Sequence, residues 1–376
     1  MDYIKDINKA RSKCNRIIGL QKLSVSGLKI PSPIKIIEPL SFEHYRNSKK
    51  FSKELKAAIT AAFLKIRAKN PHRGVYAGRA YFVPGIKHPP GPRSSSVKSG
   101  EIILKEVKKL FEFAIKNKFD QKGSEIGVIL YPFINPKIPF GGGCITPSLK
   151  NKNLAVIEAI FGVDEGVQSF PHDTYIVDFH KKLIISRKVE IKSRCLQVSS
   201  ELEYQTMAVP KQLQATQVLR DEQIFKITAD FRRFTNKYGL HRLEFAVQPE
   251  GIYFRECVIF KPVKVEEKGL KIKASVLRIS KPEDIKKIKQ NNRVIFIDPQ
   301  IIRKRNMDLL TSLAFNIVRK KIILYPGSAS TAHAATILRE RGHILVFVGK
   351  EIFKSGQKVD IGLKRGQLAV LKKYDS

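Results

Sequence analysis

The stretch YPGSASTAHAATILRERGHILVFVG, residues 325–349, organises the reading of the whole chain. An apolar strand ends at Tyr325, and a loop of Gly327, Ser328, Ser330 and Thr331 follows. His333 then stands in the first turn of a helix that Gly342 closes. The free backbone N–H groups and positive dipole end of a helix N-terminus favour an anion such as phosphate. The same dipole disfavours an imidazolium, so a histidine there is held neutral and nucleophilic. By residue type alone, a surface or capping histidine is the alternative.

Around this segment the elements alternate. RVIFID (293–298), an amphipathic helix over Leu309, Leu313, Phe315 and Ile317, KIILY (321–325), a helix over about 332–341, ILVFVG (344–349) and LAVLKK (368–373) read as one small α/β domain. PVKVEEKGLK (262–271) loses the apolar pattern and marks a boundary, so two domains are expected, 1–263 and 264–376. Extended, those ten residues reach roughly 33–36 Å.

Upstream, residues 51–69 read as a helix capped by Ser52 and stopped by Pro71, and 73–83 as extended. HPPGPRSSS (88–96), which carries Arg93, reads as loop. The spacing predicts a helix over 101–117 that buries Ile103, Val107, Leu110, Phe111 and Ala114. A strand over 125–133 runs into the breaker-rich NPKIPFGGG, and strand signal returns at 154–160 and 173–192. Ile224, Ile227, Phe231 and Phe234 predict a helix over 221–238 ended by Gly239.

Of 376 residues, 43% are hydrophobic, enough for packed cores, which excludes a disordered polycation. No internal repeat is visible. No run approaches the ~18 apolar residues of a membrane span and no secretory signal opens the chain, so a cytoplasmic protein with no membrane partner is expected. Cys14, Cys144, Cys195 and Cys257 lie too far apart for a C-x-x-C site and read as reduced, buried thiols. Lys and Arg number 70 against 34 Asp and Glu, a formal charge of +36. Such an excess attracts polyanions, and a polyanion partner is one reading of it; a lysine-biased, solvated surface is the other.

LEFAVQ (243–248) and IYFRECVIF (252–260) flank Pro249-Glu250-Gly251 as a hairpin. A three-residue turn sets Gln248 against Ile252 and Glu244 directly opposite Glu256, on one face, where like charges repel unless a cation bridges them. Hard oxygen ligands so placed suit Mg²⁺. The alternatives are two solvated glutamates, or a two-residue turn that slips the register and splits them.

The motif S-T-A-H-A-A-T-I-L-R-E-R-G resembles T-S-H-A-A-I-x-A-R-E-x-G, the signature of the swivelling phosphohistidine domain of the phosphoenolpyruvate synthase and pyruvate phosphate dikinase family. Thr331, His333, Ala334, Ala335, Arg339, Glu340 and Gly342 match, while Ala332 replaces a serine and Ser328 a glycine. HRLEFAVQPEGIYFRECVIFKPV (241–263) resembles the end of that family's ATP-grasp domain, D-I-E-W-A followed by L-Y-x-x-Q-x-R-P. Glu244 falls on the family's metal glutamate and Glu256 on its metal-binding glutamine; Arg242 takes the place of the aspartate and Val258 that of the arginine. QKLSVSGLKIPSPIKI (21–36) resembles A-G-L-P-V-P-x-G-F, which places the nucleotide-contacting lysine at Arg16 and lacks the glycine pair. YAGRAYFVPG sets Arg79 like the arginine of R-S-S-A, and IEAIFGVDEGVQSFPHDTYIVD (157–178) resembles I-E-x-x-x-G-L-G-E-x-V-x-G-x-x-x-P-D.

The resemblance implies a fold of α/β and α+β type: an ATP-grasp-like domain followed by a small swivelling β/β/α phosphohistidine domain. It implies a phosphotransferase using ATP and Mg²⁺, with His333 phosphorylated, supported by Thr331 and Arg339. Arg16, Arg79 and Arg93 would clamp phosphates, Glu158 would hold the ribose beside Lys192, and Glu244 and Glu256 would hold the metal. The family's phosphoenolpyruvate/pyruvate barrel is not in this sequence, so the expected acceptor is a small molecule or a separate chain. The missing glycine pair, aspartate and arginine favour a rival, a degenerate nucleotide-binding or regulatory protein; the charge alone favours a nucleic-acid-associated one.

Overall fold

The structure is a computed structural model describing residues 3–86, 89, 91–148, 151, 153–168, 170–198, 204–259, 271–289, 291–303, 321–326, 338, 343–348, 351–364 and 367–374. It divides into two compact units, one of Met1–Gly166 with Phe170–Phe260, the other of Lys261–Ser376 with Val167–Ser169.

In the first unit, β1 (Ile4–Asp6), β2 (Lys35–Ile37), β3 (Val75–Phe82), β4 (Arg93–Val97) and β5 (Glu125–Pro132) form an antiparallel sheet ordered β1-β2-β5-β3-β4. Its two faces feed separate cores, because side chains alternate along each strand. On β3, Val75, Ala77 and Tyr81 enter one core, and Tyr76 and Ala80 the other. α1 (Asn15–Val25) packs in the Tyr76 core; α2 (Pro39–Ser48), α3 (Lys53–Lys69) and α4 (Gly100–Lys116) pack in the Val75 core. The α3 and α4 predictions hold. Ser52 and Ser99 accept hydrogen bonds from the Leu55 and Ile102 N–H groups at 3.1 and 3.2 Å, and α4 buries the five residues its spacing indicates.

The second sheet holds β6 (Gly141–Pro147), β7 (Leu154–Phe161), β8 (Asp173–Asp178), β9 (Leu183–Lys188), β12 (His241–Gln248) and β13 (Gly251–Ile259), ordered β13-β12-β6-β7-β8-β9 and antiparallel throughout. A ribbon of β10 (Arg194–Val198) and β11 (Tyr204–Ala208) and the short α5 (Lys211–Gln214) precede α6 (Asp221–Tyr238). α6 buries Ile224, Ile227, Phe231 and Phe234 against this sheet.

Two loop readings are corrected. Residues 93–96 are not loop: Arg93–Val97 is the edge strand β4, because β3 supplies its pairing partners and Ser94 and Ser95 hydrogen-bond to Glu106 and Tyr204. The glycines of NPKIPFGGG do not break the chain either. Gly141–Gly143 open β6, buried between β7 and β12, where backbones approach too closely for side chains. A Cβ at Gly142 would lie 2.8 Å from Asp164 N, and one at Gly143 would meet the Glu158 carbonyl.

In the second unit β14 (Ile272–Ile279), β15 (Val294–Ile297), β16 (Ile322–Tyr325) and β17 (Ile344–Phe347) are parallel, and β18 (Lys358–Lys364) and β19 (Gln367–Tyr374) add antiparallel beyond β14, giving the order β17-β16-β15-β14-β18-β19. α7 (Pro299–Arg303) follows β15. The helix expected over Leu309–Ile317 lies outside the described residues, as does that over 332–341 apart from the buried Leu338. No helix among the described residues is long and apolar enough to cross a membrane.

Replacing Gly143 by alanine forces β6 and β7 apart. Urea denaturation should show a loss of about 3 kcal/mol, with an unchanged stability ruling out the close approach.

Candidate functional site

Four strands carry one row of chemistry. Pairing across β7, β6, β12 and β13 aligns Glu158 with Cys144, Cys144 with Glu244, and Glu244 with Glu256. The opposition of Glu244 and Glu256 is the one the hairpin spacing predicts, but the route differs. The turn holds two residues, since Gln248 pairs with Gly251 and not with Ile252. A bulge then restores the register: Phe245 pairs with Phe254, leaving Arg255 as the extra residue before Glu256. The bulge also turns the Arg255 side chain onto Asp164 and Glu165 in the turn after β7.

Burial raises the Glu244 carboxyl from 4.5 to about 7; Arg242, whose Nη1 lies 2.9 Å from Oε1, opposes the shift, and Glu256 adds to it. Glu256 Oε2 lies 3.8 Å from Arg16 Nη2. Arg16 stands in the first turn of α1, its guanidinium 5.2 Å from the ring centre of Tyr76, which stacks on Tyr131 at 4.5 Å. Arg79 donates to the carbonyls of Pro89 (2.7 Å) and Gly91 (3.3 Å). Burial lowers its pKa, and the nearby Arg16 lowers it further. Arg93 Nη1 lies 2.9 Å from Glu165 Oε1; burial opposes its charge, but Tyr204 and Glu165 hold its pKa above the ordinary value.

Arg16, Arg79, Arg93, Glu244 and Glu256 therefore gather in one place, as expected. Arg242 and Arg255 join them, together with Asp164, Glu165, Tyr76, Tyr131 and Tyr204, which the sequence reading did not assign. Arg16 Nε, Arg242 Nε and Arg255 Nε are buried and find no hydrogen-bond acceptor among the described residues. Buried guanidinium N–H groups without acceptors, held against neighbouring cations, are the preorganised half of an anion site. Among the described residues no group of three or more His, Cys, Asp or Glu side chains is placed to hold a metal; Glu244 and Glu256 form a pair.

Glu158 and Lys192 sit deeper. Glu158 accepts from Cys144 Sγ (3.7 Å) and faces His172 Nε2 at 3.6 Å. Burial would lower the His172 pKa, but Glu158 more than offsets it and the pKa is raised. Lys192 and Asp173 are both 0% exposed and 2.6 Å apart. Lys192 also donates to the Glu190 carbonyl at 2.7 Å, while Asp173 accepts from the Glu190 and Val218 N–H groups and the Tyr175 hydroxyl. Asp173 pairs with Ala159, next to Glu158 but on the other face of β7, so Lys192 is held in a filled internal pair and the structure does not bring it into this row. The four cysteines are buried thiols outside any disulfide. His333, Thr331 and Arg339 lie outside the described residues.

Residues 111–279 match the family model described as pyruvate phosphate dikinase, AMP/ATP-binding domain. That stretch is similar to the family's nucleotide-binding domain. The match takes in Glu158, Lys192, Glu244 and Glu256, with Arg16, Arg79 and Arg93 before it and His333 after it. Over 202 residues the chain is 24% identical to a probable phosphoenolpyruvate synthase of Methanocaldococcus jannaschii, covering 50% of this chain and 16% of that protein, so it spans a small part of that relative's length. Among solved structures, D-alanine–D-alanine ligase from Helicobacter pylori aligns at 12% identity and a TM-score of 0.31 over 66% of this chain and 54% of that one. A dinucleotide-forming acetyl-coenzyme A synthetase from Ca. Korarchaeum cryptofilum aligns at 13% and 0.34 over 64% and 98%. The two antiparallel sheets and the helices packed on them make the first unit a mixed fold of the expected α/β and α+β type.

Two predictions follow from these pairs. Asp173→Asn leaves Lys192 charged in a dry interior and should cost about 3–5 kcal/mol in urea denaturation. In the metal-free protein the folded-state pKa of Glu244 lies above its unfolded value, so its contribution to stability is present below pH 4.5 and is lost as pH rises through about 7. Melting temperatures across that window should therefore fall less steeply in Glu244→Gln than in the parent protein.

Proposed function

We propose that the chain is an ATP-dependent phosphotransferase of the dikinase type, built from a nucleotide module over 1–263 and a phosphohistidine module over 264–376. The observation that supports it is the convergence of Arg16, Arg79, Arg93 and Arg255 beside the opposed carboxyls of Glu244 and Glu256. Phosphoryl transfer asks little of a protein beyond positioning and charge stabilisation, and this cluster offers both. The arginines orient the phosphates; the deep Glu158–His172 pair closes the same row on the ribose side.

Glu244 and Glu256 fit a divalent cation. They are hard oxygen donors on one face, and burial, with the charge of Glu256 adding to it, raises the Glu244 pKa, a cost that a bound cation would relieve. Mg²⁺ there would neutralise charge on the phosphates. His333 takes the β-phosphoryl group as its N–P bond forms and the bond to the α-phosphate oxygen breaks, leaving AMP; water releases the γ-phosphate. The phosphoryl group passes to an acceptor, a small molecule or another chain.

One observation favours a second reading, a nucleotide binder without transfer. Arg242 replaces the family's aspartate and occupies Glu244 at 2.9 Å, so a cation must compete with a resident guanidinium.

Incubation with Mg²⁺ and ATP labelled separately at the β and γ positions separates the two. Transfer gives acid-labile, base-stable protein label from the β position alone, absent in His333→Ala. Binding without label supports the second reading. Arg16→Gln should lower the labelling rate by about 10²–10³-fold, as loss of a charge-stabilising donor does.

A further inference from the structure

Two arginines from different sheets meet on one carboxylate. Arg93 of β4 and Arg255 of β13 approach Glu165 from opposite oxygens, at 2.9 Å from Oε1 and 3.7 Å from Oε2. The Tyr204 hydroxyl of β11 donates to Oε1 at 3.0 Å, and the Tyr204 ring lies under the Arg93 guanidinium at 5.3 Å. Glu165 belongs to the short turn Asp164–Gln168 that follows β7. Guanidinium pairs and a phenolic hydroxyl bind a phosphate group as readily as a carboxylate, with more charge to gain.

We propose that Glu165 is an internal competitor of the nucleotide's phosphates: it holds Arg93 and Arg255 when no nucleotide is present and yields Arg93 to a phosphate when one binds, thereby setting the affinity of the site. The inference rests on the nucleotide reading above. Three features make Glu165 displaceable. Arg255 keeps Asp164 when Glu165 leaves, so no bare guanidinium is created there. The Arg93 side chain is 36% exposed and open to a ligand, whereas that of Glu165 is 13% exposed. Glu165 Oε2 is buried and finds no hydrogen bond among the described residues, in contrast to the Asp173 carboxylate, whose oxygens are filled by Lys192, Tyr175 and two backbone N–H groups. The pair is strong enough to order Arg93 and incomplete enough to exchange.

The test is calorimetric binding of ATP, tripolyphosphate and adenosine to the full chain and to Glu165→Gln. The variant should bind ATP and tripolyphosphate about tenfold more tightly, with adenosine unchanged. Equal or weaker phosphate binding by the variant overturns the inference and leaves the nucleotide reading standing. Failure of both proteins to bind either phosphate ligand overturns the nucleotide reading and the inference with it. Should Glu165→Gln not fold, Glu165→Asp, one methylene shorter, should tighten tripolyphosphate binding by about threefold, and no tightening counts against the competitor role. Tripolyphosphate should also raise the melting temperature of the variant by more than it raises that of the parent, a difference a purely structural glutamate does not produce.

Discussion

Guanidinium groups withdrawn from water must find anions, and that demand shapes the first unit of this protein. Arg16, Arg79, Arg93, Arg242 and Arg255 crowd one region, and the carboxyls of Asp164, Glu165, Glu244 and Glu256 are drawn to them. The charges come from α1, both sheets and the turn after β7, so they offset one another only when all of these are in place, with one guanidinium more than there are carboxyls. A buried cation left unmatched costs several kcal/mol, far more than a surface pair returns. The balance still leaves donors unfilled among the described residues, at Arg16, Arg242 and Arg255.

The hairpin shows how the geometry is achieved. A two-residue turn alone would have sent Glu244 and Glu256 to opposite faces. The extra residue at Arg255 reverses that slip within one strand and delivers a cation to the same place. One bulge therefore does two jobs, restoring the carboxyl pair and supplying the guanidinium whose neighbour, Glu165, it shares with Arg93.

How much of this was legible depended on periodicity. α3, α4 and α6 announced themselves because their apolar residues recur every three or four positions, and serine caps mark two of them. β6 did not, because three glycines carry no pattern, and what makes them a strand is the closeness of β7 and β12. β4 was hidden for a similar reason: its serines become strand only through β3, Glu106 and Tyr204. At the site, Arg16 and Arg79 could be placed through motifs and Arg93 was noted only as an arginine of the 88–96 loop, while Arg255 and Glu165 were assigned nothing. The role of Arg255 arises from a bulge that has no local signature, and Glu165, although it falls on the glutamate of G-L-G-E-x-V, drew no role because its partners come from β4, β11 and β13. The Glu244–Glu256 opposition was inferred through a turn of the wrong length, compensated by that same bulge.

The Lys192–Asp173 pair constrains more than stability. Each side chain is wholly enclosed, and Asp173 also anchors the backbone at Glu190 and Val218, from which α6 is approached. A lineage that lost either charge alone would pass through a protein carrying a naked ion in its interior. The two positions are therefore locked in step: neutral drift can reach an apolar pair only by a simultaneous double change, and chains descended from this one should carry both residues or neither.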